Sequence, residues 1–139
     1  MSNVRYFAQG FWVDKHFAQW ITSILIMIEF GLGVVIIVGG VDRFSVPSYN
    51  PLIDFSNGHT WIWGLWICLS AALISTPLRW PNIIGLWLGM VWHLIWMACF
   101  TIAVLNYPHA ATTPIPIYGG MALLCSALLT ARVIEKAGV

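Results

Sequence analysis

Residues 17–41 read FAQWITSILIMIEFGLGVVIIVGGV, an apolar run that carries a single charged side chain, Glu29. The run exceeds the roughly 20 residues that a helix needs to cross a hydrocarbon core. It is continuous rather than alternating, and a backbone in lipid must satisfy its own hydrogen bonds, so a helix is the expected form. Three more stretches of this kind follow, at about 60–76, 83–105 and 117–133. Pro77 stops the second, and the fourth is expected to begin after Pro114-Ile115-Pro116. The expected fold is a single-domain, all-α integral membrane protein, a bundle of four transmembrane helices.

Composition agrees with this reading. The 139 residues are 60% hydrophobic and 8% charged, where a soluble domain carries roughly 25% charged residues. The formal net charge is +1 and there is no basic tract, so nucleic acid is not expected as a partner. No nucleotide-binding glycine loop and no HExxH, CxxC or GxSxG pattern occurs, so no enzyme activity is expected. Cys68, Cys99 and Cys125 all fall in apolar stretches, which argues against a disulfide framework. They read as small buried hydrophobes. The first run is long, holds Glu29 and ends without a small-x-small cleavage pattern, so it reads as a retained span rather than a signal peptide.

Basic residues set the expected orientation. Arg5 and Lys15 precede the first span, Arg79 lies between the second and third, and Arg132 and Lys136 close the fourth. With both termini cytoplasmic, Arg43 alone of the six basic residues faces outward. A multi-pass protein of the inner (plasma) membrane follows. Its partners would be the lipid bilayer and either itself or another integral membrane protein. Pro77-Leu78-Arg79-Trp80-Pro81-Asn82 is a tight turn that predicts an antiparallel hairpin. The longer connections at 42–59 and 106–116 are rich in turn-forming residues and are expected to form an outer cap. Arg43, Phe44, Pro47, Ser48 and Tyr49 would give that cap a recognition surface. The aromatic segment Tyr6–Trp12 is expected in the inner interface. Trp61, Trp63 and Trp80 sit where an aromatic belt would place them, whereas Trp66, Trp87, Trp92 and Trp96 lie deeper.

A carboxylate in hydrocarbon is costly unless protonated, paired or wetted, so Glu29 is the first place to look for function. It lies at the middle of its span, and His93 lies within a residue of the middle of the third. A Glu29–His93 pair would lower the desolvation cost of both. Such a pair serves either proton transfer or helix register, and interhelical glue is the commoner use of polar groups in membranes. Thr22, Ile26, Glu29, Gly33 and Gly40 broadly share one helix face. Gly85, Gly89, His93, Met97 and Thr101 share another, and Gly64, Cys68, Ala72 and Ser75 a third. Gly33, Gly64, Gly85 and Gly89 are therefore expected at helix contacts. Cys68 and Cys125 also lie near mid-span, which gives one metal-ligating side chain per helix. No close-spaced ligand pair accompanies them, so no metal is expected. Haem ligation by two histidines is not expected either, because only His93 is deep.

The stretch Asp42-Arg43-Phe44-Ser45-Val46-Pro47-Ser48-Tyr49, followed by Asn57-Gly58-His59-Thr60-Trp61-Ile62-Trp63-Gly64, resembles small four-span membrane proteins of actinobacterial phages. Some of those are holin-like members of lysis cassettes. The resemblance implies a non-enzymatic protein that acts by self-assembly or by binding a host membrane protein. It transfers no catalytic residue and no cofactor. The C-terminal tail, Arg132 to Val139, carries less charge than the tails of many holins. The competing expectation is an accessory subunit of a redox or proton-translocating complex, with Glu29 and His93 at mid-membrane.

Overall fold

The computed structural model describes residues 6–8, 11–13 and 15–137. Two three-residue strands, β1 (Tyr6–Ala8) and β2 (Phe11–Val13), pair antiparallel with Phe7 opposite Trp12. Most of the other described residues are helical. The long helices are α1 (Lys15–Gly39), α3 (Trp61–Ser75), α4 (Arg79–Asn106) and α5 (Pro114–Ala137). A short helix, α2 (Asn50–Phe55), lies in the connection between α1 and α3.

Three of these helices are long and apolar enough to cross a membrane: Phe17–Gly39, Arg79–Asn106 and Pro114–Val133. Helix α3 is equally apolar but has only 15 residues, a length of about 22 Å. Proline explains where the boundaries depart from those read in the sequence. Pro81 lies in the first turn of α4, and Pro114 and Pro116 open α5. First-turn N–H groups have no helical partner, so proline costs nothing there and the helices start earlier than expected. Pro77 does end α3, because the residue before it, Thr76, is held extended (ψ 141°).

Successive long helices are neighbours: α1 packs along α3, α3 along α4, and α4 along α5. On α1 the buried stripe runs Leu25, Glu29, Gly33 and Ile36, the spacing of one helical face. Helix α4 is the central element, with Gly85, Gly89, Trp92, His93, Trp96 and Phe100 all buried. The face of α3 differs from the one expected. Gly64, Ile67, Ser70, Ala71 and Ile74 point inward, whereas Ala72 and Ser75 are exposed. Both patterns start at Gly64, but the two branched isoleucines set the helix rotation by filling the core.

Glycine brings the backbones of α1 and α3 into contact. A Cβ at Gly64 would stand 2.5 Å from Ile37 Cγ1 and 2.9 Å from the Gly33 carbonyl oxygen. A Cβ at Gly33 would meet Cys68 Sγ at 2.5 Å. The α3–α4 hairpin closes in the same way, since a Cβ at Gly85 would stand 2.7 Å from the Ile74 nitrogen. Asn82 Nδ2 donates to the Ile74 carbonyl at 2.6 Å, which satisfies one of the free carbonyls at the end of α3.

The connection from α1 to α3 folds inward as a cap. Gly40, at φ 57° and ψ −155°, a conformation that glycine adopts and residues with a Cβ rarely do, ends α1. A 3-10 turn at Val41–Phe44, another at Pro47–Tyr49, and α2 then follow. Phe44 and Leu52 are buried in the main core with Trp63, Trp92, Trp96 and Phe100. Trp63 Nε1 donates to the Leu52 carbonyl at 3.2 Å. The Ala111 amide donates to Ser48 Oγ at 2.9 Å, tying the two long connections together.

Two expectations are corrected here. Trp63 is a core residue, 2% exposed, not a belt residue; Trp61 and Trp80 are exposed. Phe44 and Ser48 are buried, so they hold the cap on rather than face outward for recognition. Tyr49 packs edge-on against Phe44 and Phe100, while Pro47 is exposed. The side chain of Arg43 lies outside the described residues. The physical cause is the bulk of the aromatic rings, which bury more area against Trp96 than they could in a solvated loop.

Gly64→Ala should reduce the unfolding free energy in detergent by about 1–3 kcal/mol, because the carbonyl it meets cannot rotate away. Gly31 has nothing within 4 Å of its Cβ position. Gly31→Ala should therefore be neutral or stabilising by up to about 1 kcal/mol. Equal responses in an unfolding titration would contradict the close α1–α3 contact.

Candidate functional site

Glu29 is fully buried. Four helices supply its surroundings: α1 carries Glu29, α3 Ser70, α4 Gly89 and His93, and α5 Cys125. The backbones of α1 and α3 touch, so α3 delivers the nearest polar group. Ser70 Oγ lies 2.8 Å from Glu29 Oε2 and 2.9 Å from the Ile67 carbonyl of its own helix. A hydroxyl has one proton. When Ser70 donates to the carbonyl oxygen, a protonated Glu29 can donate to Ser70. When Glu29 is ionised, Ser70 donates to it. The pair therefore accommodates either state of the carboxyl group.

The other carboxyl oxygen, Oε1, is buried and makes no hydrogen bond among the described residues. It faces a small enclosure. His93 Nδ1 is 3.9 Å from it, too far for a hydrogen bond. Nδ1 instead lies 2.7 Å from the carbonyl oxygen of Gly89, one helical turn back, to which it donates. Cys125 Sγ completes the group: one ligand atom from each of Glu29, His93 and Cys125 lies within 4.8 Å of the others. Gly89 makes the room. A Cβ there would stand 3.1 Å from Glu29 Oε1 and 3.4 Å from Cys125 Sγ. One wall is aromatic, with the His93 ring stacked on Trp92 at 3.7 Å between centroids and Tyr118 at 6.1 Å.

The structure thus brings Glu29 and His93 together, but without the direct bond expected between them. Cys125 joins them, whereas Cys68 does not. Cys68 is only half-buried and its Sγ packs at Gly33, on the α1–α3 contact. Equal depth in two spans does not mean equal facing. Ser70 is the residue that sequence reasoning missed. Its signal was available: it is the one hydroxyl in the interior of an otherwise apolar α3, three residues after Ile67 and four before Ile74. Gly33, Gly64, Gly85 and Gly89 each lie where a second element approaches.

Chemically, the arrangement offers an oxygen acceptor, an imidazole nitrogen and a thiol around one point shielded from solvent. Leaving Oε1 unpaired would cost several kcal/mol for an ionised group. A neutral carboxyl, or a cation beside it, removes most of that cost.

Comparison with protein-family models, with curated proteins and with solved structures finds no match for the chain.

If Ser70 and Glu29 act as interhelical glue, Glu29→Gln should fold with nearly wild-type stability, since an amide oxygen still accepts from Ser70. Glu29→Leu should lose about 0.6–1.7 kcal/mol in a detergent unfolding titration. A leucine variant as stable as the wild type would contradict that role.

Proposed function

We propose that the chain is a non-enzymatic, four-pass protein of the inner (plasma) membrane that works by self-assembly or by binding another membrane protein. Both termini would be cytoplasmic. The observation that carries this reading is the apolar outer surface of the terminal long helices. Trp20, Met27, Phe30 and Val38 are exposed on α1, and Ile117, Leu123 and Val133 on α5. Only 22% of the hydropathic window of α1 and 17% of that of α5 is buried within the chain, so lateral contact with lipid or protein is their main environment.

Helix α3 would be the fourth pass. It is short for the role, but it lies between α1 and α4 and the cap sits over its N-terminal end through Trp63 and Leu52. Arg79 Nη2 donates to the Arg132 carbonyl at 3.4 Å, which puts the α3–α4 turn and the end of α5 on the same side. That side holds Arg79 and Arg132, and a positive-inside orientation would make it cytoplasmic.

The likeness of the 42–64 stretch to small phage membrane proteins favours holin-like permeabilisation as the specific activity. Induced expression in a bacterial host should collapse the membrane potential abruptly at a defined time, as read by a potential-sensitive dye. Continued growth with an intact potential would exclude the holin version and leave partner binding, which co-purification from the membrane would reveal.

A second reading has one observation in its favour. The unpaired Glu29 Oε1 beside His93 is what a proton-handling subunit of a membrane complex would carry. In that case Glu29→Gln should fold normally yet abolish proton-coupled activity of the complex. Retained activity in the Gln variant would remove this reading.

A further inference from the structure

We propose that Glu29, His93 and Cys125 form a three-ligand site for a zinc-class divalent metal ion at the centre of the helical bundle. The inference stands apart from lateral assembly and rests on three features of the enclosure. The donor set is one that zinc accepts: a carboxylate oxygen, an imidazole nitrogen and a thiolate sulfur. The three come from α1, α4 and α5, and their ligand atoms already lie within 4.8 Å of one another. Tetrahedral coordination by these donors needs separations of about 3.3–3.6 Å, so gaps of up to 4.8 Å must shorten by up to about 1.5 Å, a movement shared between side chains. Third, Glu29 Oε1 is a fully buried acceptor with no hydrogen-bond partner among the described residues, and it lies beside the other two groups.

The surroundings supply the supports that a metal site needs. Ser70 Oγ holds Oε2 at 2.8 Å and so fixes the carboxylate with Oε1 forward. The nearer imidazole nitrogen, Nδ1, now donates to Gly89 O. Coordination through Nδ1 moves the ring proton to Nε2 and turns the ring away from that carbonyl, which keeps the His93 amide as its helical partner. Gly89 lacks the Cβ that would crowd both Oε1 and Cys125 Sγ. Charge also balances. A divalent ion with one carboxylate and one thiolate is neutral, which is the form that hydrocarbon tolerates. Binding releases the thiol proton, and the carboxyl proton where Glu29 holds one, to the bulk solvent. The ion would then clip α1, α4 and α5 together, with its fourth position left for a small exogenous ligand. No close-spaced ligand pair marks this site along the chain, because the ligands come from three separate helices.

The test uses the full chain in detergent. Loaded with cobalt(II), it should show thiolate-to-cobalt charge transfer and intense tetrahedral d–d bands at about one equivalent per chain. Cys125→Ser should lose the charge-transfer band, while Cys68→Ser and Cys99→Ser keep it. Ser70→Ala should weaken zinc affinity by about 10–100-fold without removing the band. X-ray absorption of the zinc-loaded wild type, which needs no variant to fold, should show one sulfur at about 2.3 Å with nitrogen and oxygen neighbours at about 2.0 Å. A folded wild type with no charge-transfer band would overturn the proposal. So would a band that survives Cys125→Ser, or a zinc shell with no sulfur or with several.

Discussion

The 2.8 Å hydrogen bond between Ser70 and Glu29 forms where α1 and α3 approach closely enough for their backbones to touch. A carboxyl group at that depth must have a partner, and only a particular rotation and register of α3 supplies one. The same rotation puts Ile67 and Ile74 into the core and Gly64 against Gly33. Polar satisfaction and close packing therefore select the same arrangement, as expected of a chain that specifies one structure. Shifting α3 by one residue would leave both carboxyl oxygens unpaired and drive a side chain into the Gly33 carbonyl.

From this contact the order of the remaining elements follows. Asn82 and Gly85 fold α4 back along α3, which carries Gly89 and His93 to the level of Glu29. Helix α5 packs along α4 and brings Cys125 to the same level. At the other end, Phe44, Tyr49, Trp63, Trp96 and Phe100 lock the cap through edge-on ring contacts. The molecule thus has a polar enclosure in its middle, an aromatic cluster towards the capped end, and apolar outer faces on α1 and α5.

Much of the helical layout was legible because lipid leaves a chain few options. Long apolar runs become helices, and the prolines and turn residues mark the connections. The prolines at the starts of α4 and α5 shifted the boundaries, since a first turn accepts what a helix interior rejects. The depth of Glu29 and His93 was also legible, being a matter of counting. Facing was not. Cys68 and Cys125 are indistinguishable by depth, yet only Cys125 reaches the enclosure. Ser70 was passed over for Ser75 because small-residue spacing fits several rotations of one helix. The cap is legible from its turn residues, but the inward facing of Phe44 and Ser48 is not, because their buried partners lie on other elements that only tertiary structure brings near.

The close fit of α1 on α3 requires Glu29 and Ser70 to be energetically coupled. A double-mutant cycle with Glu29→Leu and Ser70→Ala, read by unfolding in detergent, measures this directly. The account predicts that the double variant departs from additivity by about 0.6–1.7 kcal/mol. Additive losses within about 0.3 kcal/mol would mean that the two groups do not interact, and would contradict it.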